Sequence, residues 1–529
     1  MLKKKKRTVV VVLASAIFVV SVAFVIPTAY SRAVNIYDKI QVLNQIISIV
    51  NENYVEPVDW DMALDGAFNG LLDKLDPHSA YIPRERLESI TEQFHGQFEG
   101  IGIEFDVLNG YLTVIAPVAG SPSDKAGLQA GDQIVKINGN DAFEITREEV
   151  FEKLRGPKGS AVTVTISRPG LDETFDVEII RDKIPIHSVI ATFMLDEETG
   201  YIRLSRFAAN TSDEVHEAIR TLVSQGMRQL IFDLRTNSGG YLEQAVSVAD
   251  YFITDSDTLV YTAGRKRETT EVYLANPDIG YGDFSLIVLI NRWSASASEI
   301  VAGAVQDLDR GLIVGETSFG KGLVQRQWRL KDGSALRVTI ARYYTPTGRL
   351  IQKPYDDGKH EYYRELGREG REESLDSLRT NKPSYRTKAG RTVYGGGGIT
   401  PDVYVPLANL TQTTSRIIGH PERFTFNWGT DYAAQSKDAW SSLEEFIGSF
   451  EITDELMADF KSFVSSEGVE FDEVELDKDI EHLETVMKAE IAGALWGKQA
   501  YYHIRVSGDV QVKEATSHFD EAKAFLARQ

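Results

Sequence analysis

Apolar residues recur along this chain in three rhythms, and each marks a different kind of stretch. From residue 34 to about 93 the spacing is helical. Ile40, Leu43, Ile46, Ile47 and Val50 fall three or four apart and predict a one-sided apolar stripe. Residues 62–75 repeat the pattern and lead into Asp76-Pro77-His78-Ser79. Apolar faces on short helices suit packing on a neighbour or dimerisation, so 34–95 reads as a helical arm. From Phe98 the rhythm becomes alternation between turns such as Asn109-Gly110 and Asn138-Gly139, which predicts strands and hairpins. From Ile184 to about Pro406 strands and helices take turns. Residues 200–207 and 229–234 read as strands around a helix at 212–224, and 285–290 (SLIVLI) is the continuous apolar run of a buried parallel strand. Residues 354–392 are polar and charge-rich with little periodicity, and read as an exposed excursion. Gly395 to Asp402 returns the chain to the core. After about Ala408, helical patterns at 438–450, 452–465, 477–495 and 518–526 suggest a separate C-terminal helical region.

Length and charge narrow this picture. At 529 residues the chain exceeds what one core usually supports, so several domains are expected. A formal charge of −21 argues against nucleic acid as a partner. The absence of cysteine excludes disulfides, thiolate metal sites and cysteine nucleophiles. Lys3 to Arg7 form a basic cluster, and the uncharged stretch 8–26 is just long enough to span ~30 Å of hydrocarbon as a helix. The basic flank stays in the cytoplasm by the positive-inside rule, sending the rest outward. An uncleaved membrane anchor is favoured. The rival is a signal peptide cut near Ala29-Tyr30-Ser31, which would release the chain.

The alternating stretch closely resembles a PDZ domain over 96–183. The matching parts are Gly100-Ile101-Gly102-Ile103, the run Ser121 to Leu128, and the strand Asp132 to Gly139, with a helix at 147–154 and a strand at 161–168. The resemblance implies that an extended peptide adds to the sheet edge, its terminal carboxylate held by backbone N–H groups of the glycine-containing loop. The plainer reading is that Gly100 and Gly102 only shape a turn. Arg168 reads as a solvated strand-end charge, with peptide sensing as the alternative.

The candidate chemistry gathers at 291–325. Ser294, Ser296 and Ser298 open an apolar helix, and Lys321 follows between Gly320 and Gly322. None of the nine histidines lies near these serines in sequence, and the G-x-S-x-G elbow is absent, which lowers a Ser–His–Asp reading. A lysine can serve as base if burial lowers its pKa from ~10.4. Phe319, Leu323 and Val324 supply apolar neighbours for Lys321, and Gln325 falls on the same face of either a helix or a strand. Ser296 with Glu299 is also a capping-box pattern, so local pattern alone leaves its role open. Upstream, Asn237-Ser238-Gly239-Gly240 precedes a helix at 242–251 and can aim backbone N–H groups outward. A phosphate loop is a weak rival there.

RWSASASEIVAGAVQD, VGETSFGKGLVQ and LRTNSGGYLEQAV closely resemble the carboxy-terminal processing (tail-specific) proteases, which are Ser/Lys peptidases. The resemblance covers about 76–406. It implies Ser296 as nucleophile, Lys321 as general base and Gln325 as the residue orienting the lysine. Ala297 and one of Gly239 and Gly240 would supply oxyanion N–H groups, and Glu299 and Asp307 would support.

The expected fold is multidomain α/β. It comprises a membrane or signal segment (1–33), a helical arm (34–95), a PDZ domain (96–183) and a crotonase-like protease core (184–408) with an insertion at 354–392. Helices fill 409–529. The expected activity is a serine endopeptidase on proteins with exposed C-terminal tails, needing no metal or other cofactor. It would be anchored in the inner membrane with its working part on the periplasmic side, and its N- or C-terminal helices suit homo-oligomerisation. The alternatives are a non-catalytic PDZ scaffold that binds tails without cutting and, weaker still, acyl-CoA chemistry on a related core.

Overall fold

The computed structural model describes residues 36–368, 370–372 and 382–526. The segment 8–26, expected as an anchor or signal, lies outside them. No helix among the described residues is long and apolar enough to cross a membrane. Contacts divide the chain into two units, 1–71 and 72–529. In the first, the helix Ile36–Asn53 buries none of its residues, so the stripe of Ile40, Leu43 and Ile46 lies on its surface.

The second unit is built on a six-stranded sheet. Its order is Val189–Met194, Thr199–Leu204, Gln229–Asp233, Ser285–Ile290, Leu312–Gly315 and Val403–Tyr404. The first pair is antiparallel and the rest are parallel. Alternate residues serve opposite faces, as strand geometry requires. Leu230 and Phe232 face the core shared with helices Thr211–Ser224, Leu242–Asp250 and Ala297–Asp307, while Ile231 faces the other side. Ser285–Ile290 is buried along its whole length, which is why it reads as one apolar run.

That other side corrects the expectation of a separate C-terminal region. Val512, Ala515, Phe519 and Ala522 pack on Tyr201, Ile231, Ile287 and Leu289, so the last helices form a layer of the core. Arg235 fastens them. It grips Asp233 with Nε and Nη2 and donates from Nη1 to Asp509 (3.0 Å) and Gln511 (2.8 Å). The helices from Gln412 to Trp496 have their own core, around Phe424, Trp428, Phe446, Phe460 and Met487, which Ala500 and Ile504 of the next helix join. Periodicity finds an apolar face but cannot say which neighbour covers it. It also missed the short helices Gln412–Ile418, Phe424–Gln435 and Lys498–Ser507.

A five-stranded antiparallel sheet lies beside the first. Ala335–Tyr344 is its hub, pairing with Ala80–Ile82, Thr258–Gly264 and Leu323–Arg329. The first of these comes from the stretch expected as helical arm. Asp76 folds it back by accepting from the His78 N–H, the Ser79 N–H and the Ser79 hydroxyl, an Asx turn.

The insertion at 354–392 is not the exposed excursion expected, over its described part. Tyr362 and Leu366 are 4% and 2% exposed, and Arg371 donates to the carbonyls of Thr317 and Ser318. Its helix Lys359–Arg364 has only six residues, too few to show a helical period.

Residues 103–180 form the β-rich domain. Its strands run in the order Ile103–Leu108, Tyr111–Pro117, Gln133–Ile137, Ala161–Ser167 and Phe175–Ile180, with the helix Arg147–Leu154. Ile103–Leu108 is an edge strand. Gln97–Gly100 pairs with Asp182–Pro185 and closes the domain at its base. Arg168 is not a solvated charge, because Nε and Nη2 clasp the buried Asp132 carboxylate at 2.7 Å each.

Candidate active site

The strand Ser285–Ile290 delivers the chain to a tight turn, and the helix Ala297–Asp307 starts directly after Ser296. The three serines of this turn have different surroundings. The Ser294 hydroxyl donates to the Leu234 carbonyl (2.8 Å) and accepts from the Asn291 N–H (2.9 Å). The Ser298 hydroxyl donates to the Asn237 carbonyl (2.8 Å). Both side chains are fully buried and committed to holding loops. Ser296 is partly exposed, and its hydroxyl makes no capping bond.

Ser296 has φ 56° and ψ −110°, a region that costs a non-glycine residue ~1–3 kcal/mol. An ordinary N-cap is extended. The Glu299 N–H donates to the Ser296 carbonyl at 2.9 Å, and the Ser296 N–H donates in return to Glu299 Oε2 at 2.8 Å.

Glu299 joins two loops. Its buried carboxylate also accepts from the Ser318 hydroxyl (2.5 Å), the Gly320 N–H (2.7 Å) and the Lys321 N–H (2.9 Å). One side chain thus fixes the backbone of both Ser296 and Lys321. Burial pushes its pKa above the usual carboxylate range, and the four donors oppose that shift. Tyr343 makes a second link. Its buried hydroxyl lies 3.0 Å from the Ser296 carbonyl and 2.6 Å from the Lys321 carbonyl, and can donate to either. Gly320 (φ 86°) needs to be glycine, since a Cβ there would meet Gly398 N at 3.0 Å.

Lys321 precedes the strand Leu323–Arg329, so the spacing to Gln325 is realised on a strand. Lys321 Nζ donates to Gln325 Oε1 (3.1 Å), and Gln325 Nε2 donates to the His78 carbonyl (2.7 Å). The Asx turn at Asp76 therefore positions the lysine through Gln325. Burial first, then the Arg337 cation, lowers the Lys321 pKa from 10.5 to about 8, while Glu299 and Asp76 oppose the shift. Among the described residues no hydrogen bond joins Ser296 Oγ to Lys321 Nζ.

His78 is the one histidine brought close. Its ring nitrogens face the hydroxyls of Tyr362 (3.0 Å) and Tyr363 (3.3 Å), with no carboxylate on either. Burial, then Lys321, lowers its pKa to about 3. Its ring packs against those of Phe319 and Tyr362, with no triad geometry around it.

The turn after Gln229–Asp233 meets the serine from the other side. A Cβ on Gly239 would fall 2.8 Å from the Ser296 Cβ and 2.9 Å from the Ala297 nitrogen. Gly239 is nevertheless not a free donor, because its N–H is held by Asn237 Oδ1 at 2.9 Å. Among the described residues the N–H groups of Ala297 and Gly240 meet no acceptor. Of the two glycines, only Gly240 thus has an uncommitted N–H among the described residues. Asp307 lies ten residues along the helix from Ala297, roughly 15 Å away, in a fully buried ion pair with Arg349. Its other oxygen holds the backbone and hydroxyl of Thr347.

In the β-rich domain the Gly102 carbonyl accepts from the Val118 N–H and the Ser121 hydroxyl. Gly102 (φ 84°) must be glycine, as a Cβ would meet the Ser121 Cβ at 2.3 Å. Gly100 is not in the left-handed region. Ile101 and Ile103 line a cavity of about 1220 Å³. Sequence reasoning missed Tyr343, Ser318 and Asn237, and took Asp76-Pro77-His78-Ser79 only as the end of an arm. Of these, only the Asp-x-x-Ser turn chemistry could have been read.

The family model described as Peptidase family S41 matches residues 198–357, and a PDZ domain model matches 113–168. Fold and site define a serine-type peptidase carrying a PDZ domain. A third model, a family of unknown function (DUF8443), matches 421–497. The chain is 39% identical to a carboxy-terminal-processing protease of Bartonella bacilliformis, over 60% of this chain and 74% of that protein. It is 34% identical to the carboxy-terminal processing protease CtpA of Bacillus subtilis, over 60% of this chain and 67% of that one. Against the solved photosystem II D1 C-terminal processing protease it is 30% identical, covering 66% of this chain and 84% of the other, with a TM-score of 0.34. The chain belongs to peptidase family S41, among the carboxy-terminal processing proteases.

Proposed function

We propose that this protein is an endopeptidase that takes the C-terminal tail of a protein substrate on its PDZ domain and cleaves by a Ser296–Lys321 acyl-enzyme mechanism. The observation that carries the reading is the Glu299 carboxylate, which fixes the backbone of both residues while leaving the Ser296 hydroxyl uncommitted. Ser296 Oγ attacks the peptide carbonyl carbon, and its proton passes to Lys321 Nζ. The oxyanion is met by the N–H groups of Ala297 and Gly240, the first of these reinforced by the positive end of the serine helix. The C–N bond then breaks, the lysine returns the proton to the leaving amine, and water repeats the sequence to release the acyl group.

Gln325 supports a lysine base without adding a charge that would raise its pKa. The Gly100–Ile103 loop and the edge strand beside it suit a terminal carboxylate and an added strand. The basic-then-apolar stretch 3–26 supports an inner-membrane anchor with the enzyme on the periplasmic side. The exposed stripe of Ile40, Leu43 and Ile46 supports self-association through the N-terminal helices.

The test is cleavage of an unstructured protein by wild type, Ser296→Ala and Lys321→Ala across pH. Both variants should be inactive. Wild-type kcat/KM should fall about tenfold per pH unit below about 8, as protons fill the lysine. Cleavage by Ser296→Ala, or a rate flat from pH 5 to 9, would refute the mechanism.

A further inference from the structure

The large cavity is not a feature of the PDZ domain alone. One wall is the edge strand Ile103–Leu108 with Val150 and Phe151 of the helix Arg147–Leu154. The facing wall comes from the C-terminal helical domain, through Ala433 of Phe424–Gln435 and Trp496 at the end of Ile480–Trp496. Polar contacts tie the two walls along the same strand and the turn after it. Lys498 Nζ pairs with Glu104 at 2.6 Å, Arg423 Nε with Asp106 at 3.1 Å, and the Asn109 N–H donates to Glu422 at 2.6 Å. The volume of about 1220 Å³ exceeds the ~300–1,000 Å³ usual for small-molecule sites, and suits a stretch of peptide.

The cations lining this cavity fall into two groups. Arg147, Arg155, Arg168, Arg423 and Lys498 each have a carboxylate partner. Arg206 and Lys437 line the same space and form no ion pair within contact distance among the described residues, although Glu104 and Glu214 lie near enough to Arg206 to favour its charge. Arg206 is half-buried, and its Nε is buried with no hydrogen-bond partner. A guanidinium withdrawn from water and left without its acceptor is costly unless a ligand supplies one. Glu104, Asp124 and Asp438 line the cavity as well, so the call for an anionic acceptor is local, at the unpartnered Arg206 Nε.

We infer that the C-terminal helical domain is the second wall of the tail-binding groove, and that Arg206 and Lys437 select tails carrying an acidic side chain upstream of the terminal carboxylate. This rests on the tail-binding reading above. It gives residues 421–497 a task, since the domain both roofs the edge strand and supplies one of the two cations. The terminal carboxylate goes to the Gly100–Ile103 loop, which leaves the unpartnered Arg206 Nε for a second carboxylate.

The test uses the full chain carrying Ser296→Ala and fluorescent ten-residue tail peptides read by anisotropy. Peptides are paired as Glu against Gln at one upstream position, and as free acid against amide at the terminus. The Glu tail should bind about tenfold tighter than the Gln tail, the size of one charge-assisted bond. Arg206→Gln with Lys437→Gln should erase that preference while leaving Gln-tail affinity unchanged, and Arg206→Lys should retain it. A preference that is absent, or that survives the double substitution, overturns the inference. So does an equal loss for Glu and Gln tails, which marks a structural role. So does a double variant that abolishes the cost of amidation, because Arg206 then holds the terminus. If amidation costs the Ser296→Ala protein nothing, tail binding itself fails and the inference falls with it.

Discussion

Lys321→Met should stabilise this protein at neutral pH while abolishing its activity. Methionine nearly matches lysine in length but has no charge to desolvate. In the folded chain the lysine pKa falls from 10.5 to about 8. At 1.36 kcal/mol per pH unit this is ~3 kcal/mol against the charged form. The variant forgoes the bond to Gln325, returning ~1 kcal/mol, so the net gain is ~2 kcal/mol at pH 7. The pH dependence fixes the cause. Below about pH 8 the amine is protonated in both folded and unfolded chains, and the full penalty stands. Between about 8 and 10.5 the unfolded chain holds more protons, so wild-type stability rises with pH and the advantage of the variant shrinks. Above 10.5 that electrostatic gain is gone. The assay is urea unfolding of both proteins at pH 7, 9 and 10, compared as differences so that groups common to both cancel. A variant no more stable than wild type at pH 7, or a difference constant over this range, would show that the lysine is not held in a neutralising pocket.

Two other substitutions separate positioning from scaffold. Tyr343→Phe removes the donor to two buried carbonyls and should cost ~1–3 kcal/mol of stability, with kcat falling more than KM rises, as steady-state kinetics on one unstructured substrate will show. Asp307→Asn leaves the buried Arg349 without its anion and should cost ~3–5 kcal/mol in urea unfolding, yet leave the pH inflection of kcat/KM unmoved, since Asp307 is remote from the lysine.

The sequence made some levels of this molecule legible and hid others, for identifiable reasons. Strand 285–290 and helix 212–224 were placed to within a residue because their apolar patterns are set by burial in one sheet and its helical layer. Gln325 was placed correctly beside Lys321 because a four-residue offset shares a face whichever element carries it. What stayed hidden were relations between elements. The helices at 510–526 have the same kind of apolar face as those at 412–496, yet one group covers the sheet and the other covers itself, with 498–507 contributing to both. The insertion looked exposed because its buried contacts, Tyr362, Leu366 and Arg371, are too few and too widely spaced to form a period. The choice among three serines in five residues was closed to pattern reading, since what separates them is where each hydroxyl points.

Hydrogen bonds at the turn set Ser296 apart from its two neighbours. Ser294 and Ser298 give their side chains to loop carbonyls, and both hydroxyls are unavailable to a substrate. At Ser296 the assignment is reversed. The strained φ of 56° must be held by something, and both backbone polar groups of the residue are bound, the N–H by Glu299 and the carbonyl by Tyr343 and the helix. The same two side chains reach the N–H and carbonyl of Lys321, which leads into a strand of the other sheet. Strain at the serine and the backbone of the lysine are therefore maintained together, by two side chains that bind main-chain groups. That leaves a hydroxyl with no structural duty at the N-terminus of a helix, tied through shared partners to a lysine whose proton affinity burial has lowered. A serine held by its side chain would be better anchored and chemically spent.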